Sequence, residues 1–265
     1  MKLLVSDLDG TLLGKDKEVN PAIVAAIHRW QEAGNAFAIA TGRLYSSTLY
    51  YADRFHALEY VIGCSGATIH HFGDLIQDTP ISFDLVHKLW DYMQETGGYC
   101  QVYSDKQVIS NRMDKVAQYY ADYHDRFGPE YAVPVRVEPD ATKLHQPVHK
   151  LSFVFDRDEE AAEVLAHLGD LRGYNLFRSL PYLFDIISDQ ADKGLAARKL
   201  QQILGADELF TVGDNENDIA MLQMADDSAV IESALPHVIA AGKRVIPIPE
   251  HDGLVEYIDS LLERL

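Results

Sequence analysis

With 265 residues, 47% of them apolar, the chain exceeds one usual domain and can fill a sizeable core, so two domains or one with a large insertion are expected. Its 41 acidic residues against 23 basic ones give a formal net charge of -18, which excludes a nucleic-acid or anionic-membrane binder, because phosphate backbones attract basic patches. No apolar run reaches the roughly 20 residues that span a bilayer, and residues 1–5 run straight into acids, unlike a signal peptide, so a cytoplasmic protein is expected.

Residues 1–6 predict a short buried strand, and Asp7, Asp9 and Gly10 follow at its end in Val5-Ser6-Asp7-Leu8-Asp9-Gly10-Thr11-Leu12. In an open α/β sheet the carboxyl ends of the strands line the ligand crevice. Two acids two residues apart at that edge repel each other unless a cation neutralises them, and Mg²⁺ prefers carboxylate oxygen, water and substrate phosphate. A divalent metal is therefore implied, although Asp-x-Asp-Gly is also an ordinary turn sequence. After a polar stretch at 12–19, Asn20 and Pro21 open a helix with Ile23, Ile27 and Trp30 on one face, closed by Gly34. Residues 36–40 predict the second parallel strand of a βαβ unit. It runs into Thr41-Gly42-Arg43 and a helix at 44–55. A hydroxyl and a glycine between a strand end and a helix start suit a bound anion, and equally a plain helix cap.

Residues 59–63 predict a third strand, ending at Cys64-Ser65-Gly66-Ala67, and 68–81 a hairpin. His70 and His71 fall on opposite faces of that hairpin, which argues against a shared metal and for surface or edge positions. Cys64 and Cys100 have no C-x-x-C spacing and read as small buried hydrophobes in a reducing compartment.

The middle of the chain changes character. It predicts a helix at 83–96, a hairpin at 100–110 about Asp105 and Lys106, one tyrosine-rich helix at 114–127, and strands at 133–137 and 150–155. A helix at 158–168 and strands at 174–178 and 182–187 follow, which together read as an inserted α+β module. Its tyrosines (Tyr92, Tyr99, Tyr103, Tyr119, Tyr120, Tyr123) are expected in its core and rim. The α/β rhythm then resumes with a helix at 194–204 closed by Gly205 and a strand at 208–212. Gly213-Asp214-Asn215-Glu216-Asn217-Asp218 precedes a helix at 219–225, and strands at 228–231 and 245–248 and a helix at 255–265 complete the sheet. An EF-hand reading of that acidic run fails, because the sixth position counted from Asp214 is Ile219 and not glycine. The expected fold is α/β: a doubly wound, Rossmann-like core with a parallel sheet (1–81 and 188–265) and an inserted α+β cap domain (82–187).

Asp7 and Asp9, Thr41, Lys193, and Asp214 with Asn217 and Asp218 each sit at or near a strand-to-helix junction, so one face of one sheet can gather them. Phosphoryl transfer to a carboxylate needs such a set: a nucleophilic Asp, an acid/base, Mg²⁺, and a cation and hydroxyl to hold the transferring group. The ordered runs DLDGTL, ATGR, the lysine of DKG and GDNENDIAML resemble the haloacid dehalogenase superfamily of phosphatases, above all its Cof-type branch with a large cap between the second and third motifs. The resemblance extends to the terminal DGLVEYI.

The resemblance implies Asp7 as the nucleophile that becomes an aspartyl-phosphate, and Asp9 as general acid and then base. It implies Mg²⁺ on the Asp7 carboxylate, the Asp9 backbone carbonyl and Asp214, with Asp218 supporting through water. Phosphate would be held by Thr41, Gly42, Lys193, Asn217 and the Leu8 backbone. Arg43, Ser65, Lys150 and Arg178 are candidates for substrate recognition. The chain departs from its relatives at Ser65-Gly66-Ala67, where Asn-Gly-Ala is common, and at Glu232-Ser233-Ala234, where a Gly-Asn-Ala turn is frequent. The expected activity is a Mg²⁺-dependent phosphatase for a small phosphorylated metabolite such as a sugar phosphate. The rivals are a phosphomutase on the same scaffold, a phospho-receiver and a non-catalytic phospho-ligand sensor. A receiver needs its phosphorylated Asp on a later strand and no large insertion, so Thr41 and the middle module speak against it.

Overall fold

In the computed structural model, which describes residues 1–154, 158–169, 172–180 and 182–264, the chain divides into two compact units. One gathers Met1–Arg43, Thr48–Gln77 and Asp192–Leu265; the other gathers Leu44–Ser47 and Asp78–Ala191.

The chain opens with β1 (Leu3–Ser6), α1 (Pro21–Glu32), β2 (Ala36–Ala40), α2 (Tyr45–Arg54), β3 (Tyr60–Gly63) and the hairpin β4 (Thr68–His71) and β5 (Asp74–Asp78). Asn20 caps α1 by accepting from the Ala22 N–H, and Ile23, Ala26, Ile27 and Trp30 form its buried face. The middle segment supplies α3 (Phe83–Glu95), β6 (Tyr99–Ser104), β7 (Gln107–Ser110), α4 (Lys115–Ala121) and α5 (Tyr123–Phe127). It continues with β8 (Val135–Val137), β9 (Lys150–Val154), α6 (Asp158–Leu168), β10 (Tyr174–Leu180) and β11 (Leu183–Ser188). The last leg runs α7 (Lys193–Leu204), β12 (Leu209–Gly213), α8 (Ile219–Met224), β13 (Asp227–Ile231), α9 (Pro236–Ile239), β14 (Arg244–Ile246) and α10 (Gly253–Leu262).

Among the described residues, the first unit is built on an eight-stranded sheet ordered β14-β13-β12-β1-β2-β3-β4-β5. Strands β14 to β3 pair in parallel, and β4 returns antiparallel to β3. Successive strands leave β1 in one direction and β12 in the other, so the order reverses between these two neighbours. Ligands in such sheets bind beyond the carboxyl ends at that switch point. The interior strands are buried along their whole length, as helices on both faces require. Helices α7 and α8 approach so closely that a Cβ on Gly194 would lie 2.7 Å from the Ala220 backbone carbon.

Among the described residues, the second unit holds a six-stranded sheet ordered β10-β11-β9-β6-β7-β8, antiparallel except for β7 with β8. Alternation along its strands sorts two faces. Cys100, Val102, Leu151, Phe153, Phe184 and Ile186 join α3 and α6 in a hydrophobic core. The intervening residues Gln101, Tyr103, Lys150, Ser152 and Asp185 are buried and polar. Gln101 pairs with Ser152 and Ser152 with Asp185 across the ladders, so these form one row. Lys150 Nζ donates to Asp185 Oδ2 at 3.3 Å and Ser152 Oγ to Asp185 Oδ1 at 2.5 Å.

Two sequence expectations need correction, and one element, α9, gave no signal. The single helix at 114–127 is two, broken at Asp122 (φ -84°, ψ 7°), whose carboxylate accepts from Gln118 Nε2 at 2.6 Å. His70 is fully buried on one face of β4, which lies inside the sheet between β3 and β5; His71, on the opposite face, is half-buried and stacks on Tyr60. The short helix α9 gives no periodic signal over four residues. Phe155 and Leu265, the last residues of an expected strand and helix, lie outside the described residues. Cys64 and Cys100 are both buried free thiols. Among the described residues no helix is long and apolar enough to cross a membrane.

Candidate active site

Asp7 directly follows β1 and Asp214 directly follows β12, so the two acids leave neighbouring parallel strands at the switch point. The Asp7 N–H donates to the Val212 carbonyl at 2.9 Å, which continues the ladder by one residue and fixes where its side chain emerges. The chain then turns sharply: the Leu12 and Leu13 N–H groups donate to the Leu8 carbonyl at 3.1 and 2.9 Å, and Gly10 N–H donates to the Leu13 carbonyl at 2.9 Å. Gly10 has φ +102°, and a Cβ there would sit 2.3 Å from Asp214 Oδ2. Only glycine both adopts that conformation cheaply and leaves Asp214 its place. Thr11 Oγ1 donates to Asp214 Oδ1 at 2.7 Å and orients it from the same turn.

Lys193 opens α7, whose N-cap Asp192 accepts from the Leu195 N–H. Its side chain is 1% exposed, and Nζ donates to Asp7 Oδ1 at 2.5 Å and Asp218 Oδ1 at 2.7 Å. The other oxygen of Asp218 accepts from the Asp214 and Asn215 N–H groups, each at 3.0 Å. Asp218 thus ties the lysine to the loop that carries Asp214. The carboxylates of Asp7, Asp214 and Asp218 each offer an oxygen within 4.8 Å of the others.

Two buried acids and the half-buried Asp214 around one ammonium leave an excess of negative charge, which adds to the effect of burial on their proton affinities. Burial raises the Asp7 carboxyl well above the ordinary aspartate range, Lys193 opposes this, and Asp218 and Asp214 add to it. Asp214 is raised first by burial, with the Thr11 hydrogen bond working against it and the Asp218 charge with it. Burial alone would drive the proton from Lys193, yet the charges of Asp218 and Asp7 outweigh that and hold it on. Such a cluster suits a divalent cation: hard carboxylate oxygens from three acids, close enough to repel one another. The donor set therefore fits Mg²⁺.

Asp9 lies outside that cluster of carboxylates. Arg43 grips it with both ends of its fork, Nε to Oδ2 at 2.7 Å and Nη2 to Oδ1 at 2.6 Å, and Lys17 Nζ reaches Oδ1 at 2.9 Å. Burial would raise its pKa, but the Arg43 bonds and charge and the Lys17 charge hold it down at about 2. The Arg43 guanidinium also lies over the Tyr51 ring, 4.9 Å from its centroid.

Thr41 follows β2 and is buried; its N–H donates to the Ile62 carbonyl, and its hydroxyl accepts from the Arg43 N–H at 3.2 Å. That bond closes the turn at 41–43, two residues short of α2, so the hydroxyl does not cap the helix. A Cβ on Gly42 would lie 3.3 Å from Ser65 Oγ and 3.9 Å from Asn217 Nδ2, so both side chains front onto bare backbone there. The structure thus brings Asp7, Asp214, Asp218 and Lys193 together, with Thr41, Gly42, Ser65 and Asn217 as a second group and Asp9 with Arg43 as a third. Sequence reasoning missed Thr11 and Lys17. Thr11 stood inside the quoted acidic motif; Lys17, in an irregular polar stretch, gave no signal.

The family whose description is haloacid dehalogenase-like hydrolase matches residues 4–258. The chain is 28% identical to the HMP-PP phosphatase of Cronobacter sakazakii over 246 residues, covering 88% of this chain and 85% of that protein. It is 24% identical to the 5-amino-6-(5-phospho-D-ribitylamino)uracil phosphatase YitU of Bacillus subtilis, covering 97% and 96%. A crystal structure of a haloacid dehalogenase-like hydrolase from Bacteroides thetaiotaomicron superposes with a TM-score of 0.83 at 23% identity, covering 98% and 99%, and so shares the fold. A match over nearly the whole length, with paired acids at the switch point of the sheet, makes the chain a member of the haloacid dehalogenase-like hydrolase family.

Proposed function

We propose that this hydrolase is a Mg²⁺-dependent phosphatase that cleaves a small phosphate monoester through an aspartyl-phosphate on Asp7. The observation that carries the reading is the grouping of the buried Asp7 and Asp218 and the half-buried Asp214 about Lys193 at the switch point, with the Thr41-Gly42 turn leaving the next strand. The relatives' substrates, HMP-PP and a phosphorylated ribitylaminouracil, are themselves small phosphorylated metabolites.

Asp7 would attack phosphorus with a carboxylate oxygen while the bond to the ester oxygen breaks. The departing oxygen takes a proton from Asp9; in the second step Asp9 takes one from water, which attacks the same phosphorus, releases phosphate and restores Asp7. Mg²⁺ would be held by Asp7, Asp214 and the Asp9 backbone carbonyl, with Asp218 behind them, and would supply neutralisation of the phosphoryl oxygens. Lys193 keeps its charge beside Asp7 and steadies the incoming anion there. Asp9 is ionised while Arg43 and Lys17 grip it, so its acid role requires the Arg43 fork to let go. An anionic ester is a natural competitor for that guanidinium.

The test is phosphate release from a panel of phosphorylated metabolites with Mg²⁺ and with chelator. Turnover that depends on Mg²⁺ supports the reading. A panel that includes sugar phosphates and nucleotide precursors and yields no phosphate overturns it, and isomerised product without free phosphate points to a mutase.

A further inference from the structure

The loop after β3 carries two energetic liabilities at one residue. Cys64, Ser65 and Gly66 have φ values of +48°, +55° and +100°, a left-handed run that only its glycine adopts without strain. Ser65 is 3% exposed, and its hydroxyl has no hydrogen-bond partner within the protein. A buried hydroxyl left unpaired destabilises a fold, and alanine there would avoid the loss. Strain and an orphaned polar atom at the same position mark a functional constraint more often than a packing one.

The surroundings say what the constraint serves. The Ser65 N–H donates to the Thr41 carbonyl at 2.9 Å, and Cys64 N–H to the Arg43 carbonyl at 2.8 Å, which locks the loop against the turn at 41–43. On its other side, a Cβ on Gly66 would lie 2.2 Å from the Asp192 carbonyl oxygen and 2.7 Å from the Lys193 nitrogen. Ser65 is therefore held between the hydroxyl turn and the start of the lysine helix, the two places from which cationic and neutral donors converge. Its Oγ fronts onto Gly42, as does Asn217 Nδ2, and Asn217 Oδ1 is a second buried atom without a partner.

Resting on the phosphatase reading above, we propose that the Ser65 hydroxyl donates a hydrogen bond to a non-bridging oxygen of the phosphoryl group, in the space over Gly42. The occupant it serves is the phosphate itself, common to every monoester, and not the organic part that differs among substrates. Loss of the hydroxyl then weakens binding of inorganic phosphate as well as of ester.

The experiment compares wild type with Ser65→Ala and Ser65→Gly by calorimetric titration with inorganic phosphate in the presence of Mg²⁺, and by KM for p-nitrophenyl phosphate. Ser65→Gly removes the hydroxyl and relieves the left-handed strain, so its unfolding temperature should equal or exceed that of wild type. Phosphate affinity is expected to fall roughly tenfold in both variants, as for loss of one hydrogen bond to a charged group, with KM rising in parallel. Unchanged phosphate affinity in the folded glycine variant overturns the assignment. A raised KM with unchanged phosphate affinity also overturns it, by placing the hydroxyl on the organic part. Because the titration needs no turnover, a wild type that binds phosphate but hydrolyses no ester refutes the activity while still deciding the role of Ser65; a wild type that binds no phosphate refutes both.

Discussion

Among the described residues two lysines are buried, one in each unit, and they are neutralised differently. Lys150 meets Asp185 on the polar face of the six-stranded sheet, and Ser152 completes the carboxylate. Lys193 meets two carboxylates directly, with Asp214 as a third acid nearby. Matched charge inside a protein is consistent with architecture. Unmatched charge is an electrostatic deficit that some other cation or anion must complete, and it is a reason to look for chemistry there.

That contrast is breakable at either end. Asp7→Asn should lower kcat by a factor on the order of 10³ or more, the scale for removing a nucleophile. Its unfolding temperature should hold or rise, since one repelling charge has gone from an overcrowded cluster; a large loss of stability with activity retained would reverse the assignment. Lys150→Met should do the opposite. It strands Asp185 without its cation, a change on the order of 3 to 5 kcal/mol in chemical denaturation, and the double variant with Asp185→Leu should recover most of it.

Mg²⁺ sharpens the comparison further. At 100 times its dissociation constant it should stabilise the wild type by about 2.7 kcal/mol, seen as a raised unfolding temperature, and Asp214→Asn should abolish the shift. Protons compete with the metal for Asp7 and Asp214, whose carboxyls are raised, so Mg²⁺ binding should tighten as pH rises. The smallest effect concerns Asp9. Its folded pKa of about 2 lies below the unfolded value, so its contribution is present above the unfolded pKa and is lost as pH falls from about 4 to about 2. Arg43→Met should remove that part of the acid dependence, visible as a flatter unfolding temperature over this window than in wild type.

Much of the architecture was legible because periodicity and punctuation act locally. Asn20-Pro21 and Gly205 mark helix ends through their own backbone preferences, and residues 36–40 announce a buried strand by composition. The acids at the ends of β1 and β12 were legible too, since strand ends carry site residues in such sheets. What escaped depends on residues distant in sequence. The grip of Arg43 on Asp9 spans 34 positions and that of Thr11 on Asp214 spans 203, and no local pattern encodes either. Which of the adjacent His70 and His71 is buried depends on which face of β4 is covered, and strand alternation places them on opposite faces without saying which. The tyrosine-rich helix breaks at Asp122, where ψ swings to 7° although the residue keeps its bond to the Gln118 carbonyl, a local backbone change that composition averages hide.

Gly194 follows Lys193, and the absence of its side chain lets α7 rest directly on the backbone of Ala220. A methyl group there would act as a shim, prising apart the two segments that bear Lys193 and Asp218 and lengthening the grip of ammonium on acid. The reach of the cation toward its acids is thus calibrated from behind the site, by a single hydrogen atom that touches no reacting group.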